Sequence, residues 1–295
     1  MTLLFQFLFS IANAAACCGG GMSAPALLVG DDQAQMTGSY SAHRVSIDLV
    51  DENGIWHKTD APTQTQTFKI EAAYLLADRW QAGISIPVIQ RQKGEISTTA
   101  GVGDVSTTLG YEYLPDWNYH PYRPKGLGFL QITTPLAKSK AESELGGLDS
   151  RGQGFWTAGV GTLLSKSFVN IDIFTFLEFH QSFAKKINTS QFQGTLKPGR
   201  GYNLSFGGGY NFKDYRLGGT LTSTYEDAVD SETQSGAVIT GFVERYATAA
   251  LSLNYSPIVD WSAGLSYSNQ TWFGDPQNTS LGESVSLVLQ HRWPR

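Results

Sequence analysis

The sequence predicts an all-β chain, a single antiparallel transmembrane β-barrel of about 12 strands. Three observations carry that expectation. Apolar and polar residues alternate with a period of two in segment after segment, and no long stretch beyond the first residues shows the 3.6-residue period of a helix. Several alternating segments run to about eleven to fourteen residues, whereas soluble strands have a mode of about five to six and a tilted strand needs about nine to eleven to cross the hydrocarbon. The connections alternate between short and long, which a sandwich has no reason to do and an outer-membrane barrel does.

The chain has 295 residues, of which 41% are hydrophobic and only 16% charged, below the roughly 25% charged of a soluble domain. Its formal net charge of −5 gives no footing for nucleic acid, which calls for a basic patch.

Residues 1–16, MTLLFQFLFSIANAAA, have the layout of a signal peptide. An apolar run is followed by small residues with A-x-A-like sites, and the run is too short to span a bilayer as a helix. Residues 17–33 form a Cys/Gly-rich leader, long enough to fold back as a plug. Cys17 follows Ala16, so lipidation of Cys17 is an alternative reading. Two adjacent cysteines without a second cluster make no metal site.

Residues 34–295 are assigned to the barrel. In chain order the strand signals are a weaker one at 35–50, FKIEAAYLL (68–76), WQAGISIPV (80–88), DVSTTLGYEYL (104–114), and weaker ones at 127–137 and 155–167. Then come VNIDIFTFLEFHQSF (169–183), YNLSFGGGYNF (202–212), YRLGGTLTSTY (215–225), ATAALSLNY (247–255), WSAGLSY (261–267) and SVSLVLQHRW (284–293). Short links fall at 77–79, 167–169, 213–214 and 257–260, and long polar ones at 51–66, 90–103, 138–153, 184–200, 226–240 and 273–282, while PDWNYHPYRPKG at 115–126, due to be short, breaks the rule. An even strand number returns both termini to the short-link side, the periplasmic one. Aromatic residues at both strand ends, Trp80, Tyr210, Tyr255 and Trp293 at one and Trp156, Phe179, Tyr225 and Trp272 at the other, share the apolar parity and so form two interfacial girdles.

VGDDQAQ (29–35), ISIPVIQRQ (84–92) and above all GVGDVSTTLGYEYLP (101–115) resemble outer-membrane transporter-like barrels, especially the meta-pathway of phenol degradation family. The resemblance covers most of residues 30–293. It implies a porin-like protein of the Gram-negative cell outer membrane that passes small solutes, apolar or aromatic ones among them. The partners expected are outer-membrane lipid, a small-molecule solute and the barrel assembly machinery, the last through the apolar parity of Val285, Leu287, Leu289 and Trp293. No cofactor is expected.

Parity places Lys69, Glu71, Asp104, Glu112, Asp172, Glu178, His180, Arg216, Glu226 and Arg292 on the lumen side. Buried charges must be paired or hydrated, so these residues are either a salt-bridged wall or a path whose charges select solutes. Acidic positions outnumber basic ones, which favours cations if the lumen is open. Asp172, Glu178 and His180 read as one stripe, in which Asp172→Asn is expected to leave folding nearly unchanged. Phe174, Phe176 and Leu163 on the inward parity are expected to constrict the lumen. A hydrolase built on His180 with Glu178 or Asp172 and Ser182 is weighed and set aside: residues two apart on one strand rarely form a general-base pair, and no nucleophile signature surrounds Ser182. A structural or adhesive barrel displaying its long loops is the other alternative.

Overall fold

A computed structural model describes residues 25–58, 60–116, 120–189 and 193–295. The proposed signal peptide (1–16), Cys17 and the leader up to residue 24 lie outside the described residues. Twelve long strands form one closed antiparallel barrel. They are β1 (Asp32–Val50), β2 (Thr63–Ala77), β3 (Trp80–Lys93), β4 (Val105–Leu114), β5 (Lys125–Thr134) and β6 (Thr157–Ser167). The second half holds β7 (Ile171–Ser182), β8 (Arg200–Phe212), β9 (Tyr215–Glu226), β10 (Glu244–Ile258), β11 (Trp261–Asn269) and β12 (Thr279–Pro294). Each pairs with its neighbour in sequence, and β12 returns to β1 with Ala34 opposite Trp293 and Val50 opposite Thr279. Closure removes the unpaired sheet edge, which has no place in hydrocarbon.

Burial is inverted relative to a soluble protein. Thr37, Ser85, Gln131, Asn203 and Ser286 are buried, while Phe68, Leu130, Val160, Ile173, Leu217, Leu253 and Leu287 are exposed on the outer face. Asp172 is 8% exposed and Ile173, its neighbour, 50%. The apolar parity therefore faces outward and the polar parity faces the lumen, as lipid outside and water inside require.

The structure departs from the sequence reading at the strand ends. Val169 does not open β7; it lies in the turn before Ile171 and is 91% exposed. β2 starts at Thr63 because the TQTQT run, although polar on both faces, continues the ladder against the top of β3, with Thr63 opposite Lys93. The long connections carry strands of their own. Trp56–Lys58 pairs with the top of β1, and Lys185–Asn188, Gln193–Lys197, Asp230–Thr233 and Val238–Thr240 form a four-stranded antiparallel sheet. That sheet buries Ile187 and Leu196. Segments this short leave almost no period-two signal.

A candidate permeation site inside the barrel

On β7, Asp172, Phe174, Phe176, Glu178, His180 and Ser182 alternate onto the inner face. Register brings Leu163 of β6 opposite Phe176, and places Asn203 and Gly201 of β8 opposite Glu178 and His180. Two ion pairs then reach from β7 over β8 to β9. His180 Nε2 lies 2.9 Å from Glu226 Oε1, across Gly201, where a Cβ would come within 2.4 Å of the imidazole and 2.3 Å of the carboxylate. Arg216 Nε and Nη2 donate to Asp172 at 2.8 and 2.6 Å, across Gly209, where a Cβ would come within 2.6 Å of the guanidinium. Only glycine on the intervening strand lets the side chains meet over the backbone.

Below the upper pair is an apolar floor of Leu27, Phe129 and Phe176 with Leu163 packed against them. The two phenylalanine rings stack at 5.5 Å with 9° between their planes. Leu27 belongs to the segment that precedes β1. The Gln81 carboxamide holds that segment inside the barrel, accepting from Leu28 N–H at 2.5 Å and donating to Leu28 C=O at 3.1 Å, like one rung of a β-ladder.

Above is a roof made by the connection between β5 and β6. The Asp104 carboxylate accepts from Ala137 N–H and Gly154 N–H, each at 3.1 Å, so one carboxylate anchors both ends of the loop. Within the loop, Asp149 accepts from the Ser143 hydroxyl and from Leu145 N–H. The Ser143 bond foremost holds its carboxyl down at about 2. Burial pushes the Glu142 carboxyl up, but bonds from Lys185 and Ser139 outweigh burial and hold it below the usual range.

Between floor and roof lies a cavity of about 580 Å³. Lys69, Glu71, Asp104, Glu178, His180 and Glu226 line it. Glu112, Asp172, Arg216 and Arg292 face inward but lie away from it: Glu112 pairs with Lys125 at 3.6 Å and Arg292 donates to the Val259 carbonyl at 2.8 Å. The expected stripe is therefore divided, and Asp172 is locked to Arg216 rather than open to a solute. The carboxylate beside His180 is Glu226, not Glu178 or Asp172, while Glu178 accepts from Asn203 at 3.2 Å. Ser182 shares a hydrogen bond with Thr157 at 2.8 Å. Lys69 and Glu71 close on each other at 3.0 Å.

Arg91 and Arg151 also line the cavity, and sequence reasoning missed them because both fell inside segments read as loops. For Arg91 the signal was present: it shares the parity of Ser85, Pro87 and Ile89. Among the described residues no group of three or more His, Cys, Asp or Glu is placed to hold a metal ion.

No family model matches the chain, and no curated protein matches it in sequence. Among solved structures, an outer-membrane channel from Pseudomonas putida F1 aligns with a TM-score of 0.71 at 14% identity, over 91% of this chain and 97% of that one. The NanC porin aligns at 0.47 and 10% identity, over 86% and 98% of the two chains. A TodX monoaromatic hydrocarbon channel mutant aligns at 0.43 and 11%, over 90% and 91%. The first of these, together with the apolar outer band, defines the class: the chain is a closed β-barrel of the outer-membrane kind, and it resides in the outer membrane.

Proposed function

We propose that the barrel is a passive channel or transporter for small solutes, apolar or aromatic ones among them. One observation carries this reading. An apolar cluster, Leu27 with Phe129, Phe176 and Leu163, sits inside the barrel, and Leu27, Leu163 and Phe176 of it border the cavity. Apolar surface in a wet channel is favourable ground for an apolar solute. The stretches that resemble the meta-pathway of phenol degradation family support the same solute class.

In this reading residues 25–31 act as an internal stopper, seated on Phe129 and Phe176 and held by Gln81. His180 and Ser182 are tied into wall contacts rather than set against each other, which supports a non-enzymatic role. The last strand presents Val285, Leu287, Leu289 and Trp293 outward, the face offered to lipid and to the assembly machinery. The four-stranded sheet outside the barrel favours a second reading, surface display, which loop-dependent binding to cells or matrix would reveal.

The test is conductance in planar bilayers together with uptake of a neutral aromatic solute into proteoliposomes. The native protein should pass the aromatic solute, and deletion of residues 25–31 should raise conductance severalfold. A refolded barrel with neither conductance nor uptake, before and after deletion, would refute the channel reading.

A further inference from the structure

Two cations in the cavity stand apart from the others. Lys69 in the cavity wall has Glu71 as partner, as Arg216 outside the cavity has Asp172, whereas neither Arg91 nor Arg151 has a carboxylate within 4.0 Å among the described residues. Both rest on neutral oxygens. Arg91 Nη1 donates to Gly147 C=O at 3.0 Å and to the Ser150 hydroxyl at 2.6 Å, and Arg151 Nη2 donates to Thr99 C=O at 3.0 Å. The Nε atom of each is buried and makes no hydrogen bond. A buried donor without an acceptor is costly, and a guanidinium edge fits a planar carboxylate through two parallel bonds.

The two residues converge on one part of the mouth. Ser150, which Arg91 holds, directly precedes Arg151. The Arg151 guanidinium lies against Gly101, where a Cβ would come within 2.5 Å of it. Gly101 pairs with Ile89, two residues before Arg91 on the same face of β3. The rest of the cavity sets what they can hold. Glu71, Asp104, Glu178 and Glu226 line the same space, so a multiply charged anion meets repulsion, while Leu27, Leu163 and Phe176 offer an apolar surface.

We propose that Arg91 and Arg151 bind the carboxylate head of a small amphipathic monocarboxylic acid whose apolar or aromatic body reaches toward Leu27, Leu163 and Phe176. This names the solute class of the proposed channel and rests on that reading. Glutamines fill out the site: the buried Gln35 and Gln131 Oε1 atoms and Gln290 Nε2, all without partners, lie in residues lining the cavity and serve as secondary polar contacts.

The experiment uses two probes with one ring and different heads, benzoate and benzamide, titrated calorimetrically into the refolded full-length protein in detergent at neutral pH. Native protein should bind benzoate about tenfold more tightly than benzamide, a difference that calorimetry resolves. The preference should vanish in R91Q/R151Q and persist in R200Q, which removes an exposed cation away from the cavity. Mobility on an unboiled gel reports whether each variant has folded, and R151Q alone, in the roof rather than the barrel wall, serves if the double variant fails to assemble. Equal binding of the two probes by native protein, or a preference that survives loss of the arginines, overturns the proposal. Parallel flux measurements separate the two readings. A protein that passes benzamide without preferring benzoate keeps the channel and loses the arginine site; one that binds benzoate but passes nothing does the reverse.

Discussion

Asp172–Arg216 and His180–Glu226 are built to one plan and serve different ends. Each joins β7 to β9 over a glycine of β8 that has no room for a Cβ. The lower pair is bidentate, with Arg216 4% exposed, and Asn211 adds a third bond to Asp172 at 3.0 Å. The upper pair borders the cavity, and one partner is an imidazole rather than a guanidinium. The same cross-strand span is thus wall at one height and part of the solute's surroundings at the other. Parity alone cannot separate these, because inward-facing is a property of a strand and cavity-lining is a property of the whole cross-section.

The largest effect expected tests the wall. Arg216→Ala leaves Asp172 buried without its cation and should cost about 3–5 kcal/mol, read as a lower denaturant midpoint of the heat-modifiable barrel. Glu226→Ala should cost far less, because it removes the more exposed partner and leaves an imidazole, which can stand uncharged without a counter-ion. Equal losses would show that the two pairs carry the same structural weight. Next in size is Ile173→Arg, between the pairs in sequence but on the lipid face, with an expected cost of about 2–4 kcal/mol near the midplane. A fully assembled Ile173→Arg barrel would mean that this face is packed in protein instead.

The sequence made the barrel legible because lipid and lumen impose a period of two over whole strands. It showed the inward position of Asp172, His180 and Glu226 for the same reason. Their pairing was hidden, since the partner of His180 lies 46 residues away and depends on the lateral register of three strands. Gly201 and Gly209 carry no mark of their role in the sequence, because only the register puts side chains across them. Arg151 was illegible for a different cause: it sits in a loop whose path is fixed by Asp104 accepting from backbone amides, and backbone amides carry no residue signature.

A smaller effect sharpens the upper member of the comparison. Protonation of His180 adds positive charge to the cavity, so acidification should shift the reversal potential under a salt gradient toward anions. His180→Gln should abolish that shift, whereas Asp172→Asn, outside the cavity, should leave it in place in whatever fraction still folds. A shift that persists in His180→Gln assigns the pH response to another group.

The smallest expected effect decides whether the roof contributes to that response. Asp149 ties the loop to Ser143 and Leu145, and its carboxyl is held at about 2, below the ordinary carboxylate range. A carboxyl whose folded value lies below its unfolded one stabilises fully above the unfolded value and loses that contribution as pH falls through the folded value. The Asp149 anchor is therefore complete from neutrality down to about pH 4 and fails only toward about pH 2. Between those two points, neutrality and about pH 4, it should not change. Amide exchange at Glu144 and Leu145, which both donate to Asp149, corrected for intrinsic rates, should give the same protection at both ends of that range. Ser143→Ala removes the foremost cause of the depression and should move the loss of protection upward toward the ordinary carboxylate range. Protection that falls in step with the reversal potential near neutrality would trace the selectivity change to movement of the roof and take it away from the His180–Glu226 pair.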